Sequence, residues 1–222
     1  MREIKALIFD LDNTLLDRTK TFYQFSTKLI EKYFRESSPD DKMRMINQII
    51  EMDQDGYKDK KQLFSELLEL YSWPATPSHD ELMNFYNHEY VESAVLMDHA
   101  FKVIEHFRNK YKIGLITNGR TDIQYGKIDK LNIRSYFDTI IVSEEAGVKK
   151  PDPRIFNMAL AQLNAAPEAC IYIGDHPVND IEGASRAGLY TIWMKVNQPW
   201  KDELTAKPIH TVTNLSELTR LL

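Results

Sequence analysis

Five short apolar runs punctuate the chain, and four of them end on a polar cluster. Lys5–Phe9 (KALIF) ends at Asp10, and Tyr111–Ile116 (YKIGLI) ends at Thr117-Asn118-Gly119. Thr139–Val142 (TIIV) ends at Ser143-Glu144-Glu145, and Cys170–Ile173 (CIYI) at Gly174-Asp175. The fifth, Tyr190–Met194 (YTIWM), follows Gly188. Continuous apolar runs of this length predict strands buried on both faces. Helical periodicity lies between them. His99–Lys110 carries Val103, Ile104 and Phe107 on one face, and Ile123–Leu131 follows Thr121-Asp122, a pair able to cap it. Pro153–Leu163 opens on a proline suited to a first turn, and Asp180–Ala187 stops before Gly188. Asn214 and Glu217 have the spacing of a capping box for a last short helix. Strands alternating with helices predict an α/β fold with a parallel sheet covered on both faces. In such sheets ligands bind beyond the carboxyl ends of the strands, where the polar clusters fall.

Residues 16–96 follow a different pattern. Phe22, Phe25, Leu29, Ile30, Tyr33 and Phe34 recur at helical spacing, as do Met45, Ile46, Ile49 and Ile50, then Leu63, Phe64, Leu67, Leu68 and Tyr71. Trp73-Pro74-Ala75-Thr76-Pro77 breaks the periodicity, and Leu82, Phe85, Tyr86 and Tyr90 resume it. The stretch predicts a bundle of about four helices inserted after the first strand. Its aromatics suit the bundle core, although Phe22 or Tyr23 would also serve to stack on a ligand. The organisation is then a core of residues 1–15 and 97–222 with an insert of residues 16–96.

Composition narrows the function classes. The 222 residues are 43% hydrophobic and 27% charged, enough for a sizeable core. The net charge of −5 gives no general attraction for nucleic acid. No apolar run approaches the roughly 18 residues of a membrane helix, and Lys5, Asp10 and Asp12 interrupt any leader-like stretch. Cys170 is the single cysteine, so no intramolecular disulfide forms, and it suits a small buried strand position. A cytoplasmic location is expected.

The strand-end clusters carry the candidate chemistry. Asp10 and Asp12 flank Leu11, and alternation places both on one side unless the chain turns there. Two close carboxylates suit a hard divalent cation, a nucleophile on phosphorus, or a proton shuttle. Thr117, Asn118 and Gly119 offer a hydroxyl, an amide and a flexible backbone N–H to phosphate oxygens, or form an ordinary turn. Lys150, beside Lys149, suits charge neutralisation. Asp175 would complete a cation site, and Asp180 either orients Lys150 or caps a helix. His176 stands alone, without the histidine spacing of a zinc site.

Together, in this order, the clusters resemble the haloacid dehalogenase superfamily of phosphohydrolases. That pattern is DxDxT, a Thr closing the second strand, a Lys often followed by Pro, then GD with a further acid. Here it reads Asp10/Asp12/Thr14, Thr117, Lys150-Pro151 and Asp175/Asp180. Gly147–Phe156 (GVKKPDPRIF) looks much like members of the phosphatase branch with a helical, C1-type cap. The resemblance implies a Rossmann-like three-layer core with an inserted helical cap that closes over the site, hinged near residues 15–18 and 96–100. It implies Asp10 as nucleophile, forming an aspartyl-phosphate, and Asp12 as general acid and base. Mg²⁺ would be held by Asp10, Asp12 through its backbone carbonyl, and Asp175. Thr117 and Lys150 would grip the phosphoryl group, with Asn118 and Gly119 lending backbone donors and with Asp180 and Asn179 in support behind them. The implied activity is hydrolysis of a small phosphorylated metabolite, by a monomer or homodimer, with neither nucleic acid nor membrane as partner. Arg18, Lys20 and Arg120 could meet an anionic substrate tail, or be surface charge. Alternatives are a phosphosugar mutase of the β-phosphoglucomutase type, a haloacid dehalogenase, and a non-catalytic binding module. The family's dehalogenases lack a second carboxylate in the first motif, so Asp12 argues against that activity.

Overall fold

The five apolar runs become strands in a computed structural model that describes residues 3–222. They are β1 (Ala6–Phe9), β2 (Lys112–Thr117), β3 (Thr139–Val142), β4 (Cys170–Gly174) and β5 (Tyr190–Met194). A sixth, β6 (His210–Val212), was not predicted; only Val212 of its three residues is buried, so it leaves no apolar run. The strands pair in the order β3-β2-β1-β4-β5-β6, parallel throughout. β1 starts in the middle, the chain builds outward to β3, and then crosses back to lay β4 on β1's other side. That reversal opens a crevice at the carboxyl ends of β1 and β4, the place where such sheets bind ligands. Register sets its walls: Phe9 lies opposite both Leu115 and Ile173, so Asp10, Thr117 and Asp175 emerge at neighbouring strand ends.

The helices among the described residues are α1 (Arg18–Tyr33), α2 (Pro39–Asp53), α3 (Lys60–Leu70), α4 (His79–Glu92), α5 (Ala100–Phe107), α6 (Thr121–Lys130), α7 (Ser143–Ala146), α8 (Pro153–Leu163), α9 (Gly183–Arg186) and α10 (Leu218–Leu221). The chain divides into two compact units, one running to Asp17 and resuming at Leu96–Leu222, the other Arg18–Val95. In the first, Ala6 and Ile8 face a cluster with Ile155, Phe156, Ala159 and Leu163 of α8. Strand alternation turns Leu7 and Phe9 to the opposite face, where α5 packs on β2 and α10 on α5. Two local expectations are corrected. Asp180–Ala187 is not one α-helix but a π-helical turn, Pro177–Glu182, running into α9. Neither Thr121 nor Asp122 holds the cap position of α6, which falls to Arg120 without a side-chain bond: the Thr121 N–H goes to Glu144 at 2.7 Å, while Asp122 Oδ1 accepts from the first-turn Ile123 N–H at 2.8 Å.

The second unit is a bundle of α1 to α4. Ser38, Asp59 and Ser78 cap α2, α3 and α4, each accepting from a backbone N–H three residues on. Phe25 is fully buried and meets Phe64, Phe85, Tyr86 and Tyr90 with ring centroids 5.3–6.4 Å apart. Phe22 belongs to this core, whereas Tyr23 is exposed. Arg18 is also buried, paired with Asp53 at 2.5 Å.

Candidate active site

The chain turns sharply after β1. Asn13 takes a left-handed conformation (φ 59°), and the Leu15 and Leu16 N–H groups return to the Leu11 carbonyl at 2.9 and 2.8 Å. Strand alternation therefore ends at Asp10, and Asp10 and Asp12 part company. Asp10, Asp175 and Asp180 each present a carboxylate oxygen within 4.8 Å of one another, all three residues buried. The Asp12 carboxylate is not in this trio and lies against Lys127, at 2.7 Å. A role for Asp12 at an ion is left to its backbone carbonyl. The trio's donors are hard carboxylate oxygens, with no histidine or cysteine among them, which fits Mg²⁺ and not zinc.

Lys150 links two of the three acids. Its Nζ lies 2.6 Å from Asp10 Oδ1 and 2.6 Å from Asp180 Oδ1, and donates to the Ile116 carbonyl at 3.1 Å and the Tyr172 hydroxyl at 2.9 Å. Lys150 is 3% exposed, so this charge exists only because its partners balance it. Burial works to discharge the ammonium, but Asp10, Asp180 and Tyr172 overcome it and hold Lys150 well above the usual lysine range. Burial pushes the Asp10 carboxyl up to about 7; Lys150 opposes the rise, and Asp180 and Asp12 add to it. Tyr172, on β4, is raised well above the usual phenol range, by burial first and then by Asp180.

Asp180 owes its approach to Gly174: a Cβ there would lie 2.5 Å from Asp180 Cγ. Asp180 does not cap the turn that holds it. His176 does, its Nδ1 accepting from the Val178 and Asn179 N–H groups at 3.1 and 3.0 Å, while the His176 N–H donates to Asp180 Oδ2 at 2.9 Å. Burial lowers the His176 pKa, in keeping with a neutral ring whose Nδ1 accepts. Asn179 therefore meets this network through its backbone.

Groups of the second strand's cluster already have partners within the chain. Asn118 clamps the Lys150 backbone, accepting from its N–H at 2.9 Å and donating to its carbonyl at 3.0 Å. The Gly119 N–H donates to Ser143 Oγ at 3.0 Å. Thr117 Oγ1 accepts from Gln124 Nε2, and Thr14 Oγ1 is buried without a hydrogen-bond partner. The Lys150–Pro151 bond is cis. Three contributors escaped the sequence reading: Tyr172, Gln124 and Lys127. A tyrosine in a buried parallel strand needs a partner for its hydroxyl, which is a legible signal. Gln124 and Lys127 share the inward stripe of α6 with Ile123 and Ile128, polar positions where apolar ones were due.

The chain resembles known proteins along most of its length. The model of the family described as haloacid dehalogenase-like hydrolase matches residues 7–194. A glyceraldehyde 3-phosphate phosphatase of Pyrococcus furiosus is 30% identical over all of this chain and 94% of its own. The pyrimidine 5'-nucleotidase YjjG of Escherichia coli is 38% identical over 55% of each chain. Among solved structures, the magnesium-bound HAD-hydrolase YfnB of Bacillus subtilis superposes with a TM-score of 0.78 at 28% identity, covering 100% of this chain and 99% of that one. With the strand-end acids, the lysine they share and a family match across most of its length, the chain belongs to the haloacid dehalogenase-like hydrolases.

Proposed function

We propose that the protein is a Mg²⁺-dependent phosphohydrolase of a small phosphorylated metabolite, working through a phosphoryl group carried on Asp10. The observation that carries the reading is the Asp10–Lys150–Asp180 chain of contacts, with Asp175 beside it, at the point where strand order reverses. Asp10 and Asp175, with the backbone carbonyl of Asp12, would hold Mg²⁺, which supplies positive charge against an incoming phosphate dianion.

The protein groups divide the chemistry. The Asp10 carboxylate attacks phosphorus as the bond to the leaving oxygen breaks, and Asp12 gives that oxygen its proton. Water then attacks the phosphoryl group, Asp12 takes the water's proton, and the Asp10–phosphorus bond breaks to return the carboxylate and free phosphate. Lys150 and Thr117 meet the phosphoryl oxygens, and Asp180 and Tyr172 hold Lys150 in place. The insert of α1 to α4 acts as the cap that admits substrate. The full-length likeness to a glyceraldehyde 3-phosphate phosphatase supports a small phosphate monoester as substrate.

The test is phosphate release from a panel of sugar phosphates, nucleoside monophosphates and phosphorylated acids, with Mg²⁺ and with chelator. Metal-dependent release absent from Asp10→Asn is expected. Release that persists in Asp10→Asn removes the covalent step, and no release from any compound overturns the hydrolase reading.

A further inference from the structure

The Asp12 carboxylate is held by one face of α6. Lys127 Nζ donates to its two oxygens at 2.7 and 2.8 Å, and Gln124 Nε2 donates to Oδ2 at 3.0 Å. Both holders are 2% exposed, whereas the Asp12 side chain keeps 24% exposure. The carboxylate thus offers an accessible side to a ligand, and its holders do not. The Gln124 amide also donates to the Asn118 carbonyl at 3.1 Å and to Thr117 Oγ1. It thereby ties the loop after β1 to the end of β2. Gly119 leaves the space for it: at φ +151°, a Cβ would stand 2.9 Å from Gln124 Cδ.

An ion pair kept for stability alone is replaceable, since apolar residues of similar volume are often neutral or better in a buried site. What Lys127 and Gln124 add beyond stability is direction, because three hydrogen bonds fix the plane of one carboxylate. We propose that Lys127 and Gln124 are positioning residues that aim Asp12 at the leaving oxygen, acting through Asp12 and not on substrate. The inference rests on the phosphohydrolase reading. In the step concerned, the bond from phosphorus to the leaving oxygen breaks with its electron pair staying on oxygen, while the Asp10–phosphorus bond forms. The proton passes from Asp12 to that oxygen. A misaimed acid slows this step where the leaving oxygen is basic and scarcely affects it where the leaving group is a stable anion.

The experiment compares the wild-type chain with Lys127→Met, Mg²⁺ present, on an alkyl ester, glyceraldehyde 3-phosphate, and an aryl ester, 4-nitrophenyl phosphate. Single-turnover runs with enzyme in excess read the first chemical step, and steady-state runs give kcat and KM. The alkyl ester is expected to lose on the order of tenfold to a hundredfold in the first step, a part of what a positioned acid supplies. KM should stay within about twofold, since ground-state binding is untouched. Release of 4-nitrophenolate should fall far less, and Lys127→Arg should recover part of the alkyl rate. Equal losses on the two esters, no loss on either, or a change confined to KM overturn the inference. If Lys127→Met fails to fold by circular dichroism, Gln124→Leu decides by the same comparison. Turnover by the wild-type chain of neither ester nor any compound of the panel above sinks the hydrolase reading and this inference with it. Wild-type turnover without an ester-dependent loss sinks this inference alone.

Discussion

Lys150→Met removes the ammonium that Asp10 and Asp180 share while keeping most of its apolar volume. Each contact is 2.6 Å long, and at an effective dielectric near 20 each carries about 6 kcal/mol of Coulomb attraction. Burying the ions offsets most of that gross figure, and truncating one member of a buried pair costs about 3–5 kcal/mol. At about 2–4 °C per kcal/mol for a chain of this size, Tm should fall by about 6–20 °C. The loss depends on pH. The Asp10 carboxyl sits at about 7 with Lys150 beside it, and without that charge it moves higher. A carboxyl raised in the native state contributes stability below its native pKa and loses it as pH rises through that value. Between about pH 9 and pH 7 the variant therefore gains a proton, and stability, that the wild-type chain gains later. Thermal melts of metal-free protein in chelator should show a wider Tm gap at about pH 9 than at about pH 7. A gap that is equal at both, or a variant as stable as the wild type, would refute the claim that Lys150 neutralises this cluster.

Other outcomes follow from the same geometry. Because a proton on Asp10 at about 7 competes with a cation, Mg²⁺ affinity by titration calorimetry should weaken below that pH, by up to about tenfold per unit. An affinity flat from about pH 6 to 8 would remove Asp10 from the ligand set. Glu182 is buried and accepts from the Ala206 N–H at 2.8 Å, the Thr205 hydroxyl at 3.0 Å and Arg186. The Ala206 N–H leads in holding it below the usual carboxylate range. Its contribution is present above the unfolded carboxyl pKa and lost as pH falls through the native one. Glu182→Gln should thus cost about 1–3 kcal/mol at neutral pH, and less near pH 4; a cost that grows in acid contradicts this. Phe25→Ala should destabilise the helical insert by about 3–5 kcal/mol in chemical denaturation, and a cost under about 1 kcal/mol would show that its ring cluster repacks freely.

The sheet was legible because parallel strands buried on both faces are written as unbroken apolar runs. Thr139–Val142 and Tyr190–Met194 match their strands residue for residue. β6 was not, since a three-residue edge strand with two unburied positions has no such signature. In the site, the acids that follow strands directly, Asp10 and Asp175, were readable from position alone. Asp12 was harder: whether it stays with Asp10 depends on a turn whose hydrogen bonds return to Leu11, and no periodicity encodes that. Asn118 and Gly119 look like ligand donors because their groups are the right kind. The folded chain gives those groups to Lys150 and Ser143, across more than 20 positions of sequence. Long-range pairing of this kind escapes local pattern reading, and Lys127 and Asp12 are a further case.

The chain leaves the sheet-bearing unit and rejoins it at almost one point. Leu16 and Leu96 face each other in an antiparallel bridge, and the Met97 N–H donates to the Leu15 carbonyl at 2.8 Å. The helical insert is closed in the same manner, its last residue Val95 donating to Thr21 Oγ1 in the first turn of α1, at 3.1 Å. To the sheet, whatever is spliced between those neighbours is a loop with ends about one strand spacing apart. Closure entropy grows by only about 0.6 kcal/mol for each doubling of such a loop, and a module whose own ends adjoin is exempt from most of that. Recombination at this seam can exchange, enlarge or delete the inserted module with little penalty to the scaffold, so one reaction centre can be refitted for new substrates by grafting alone.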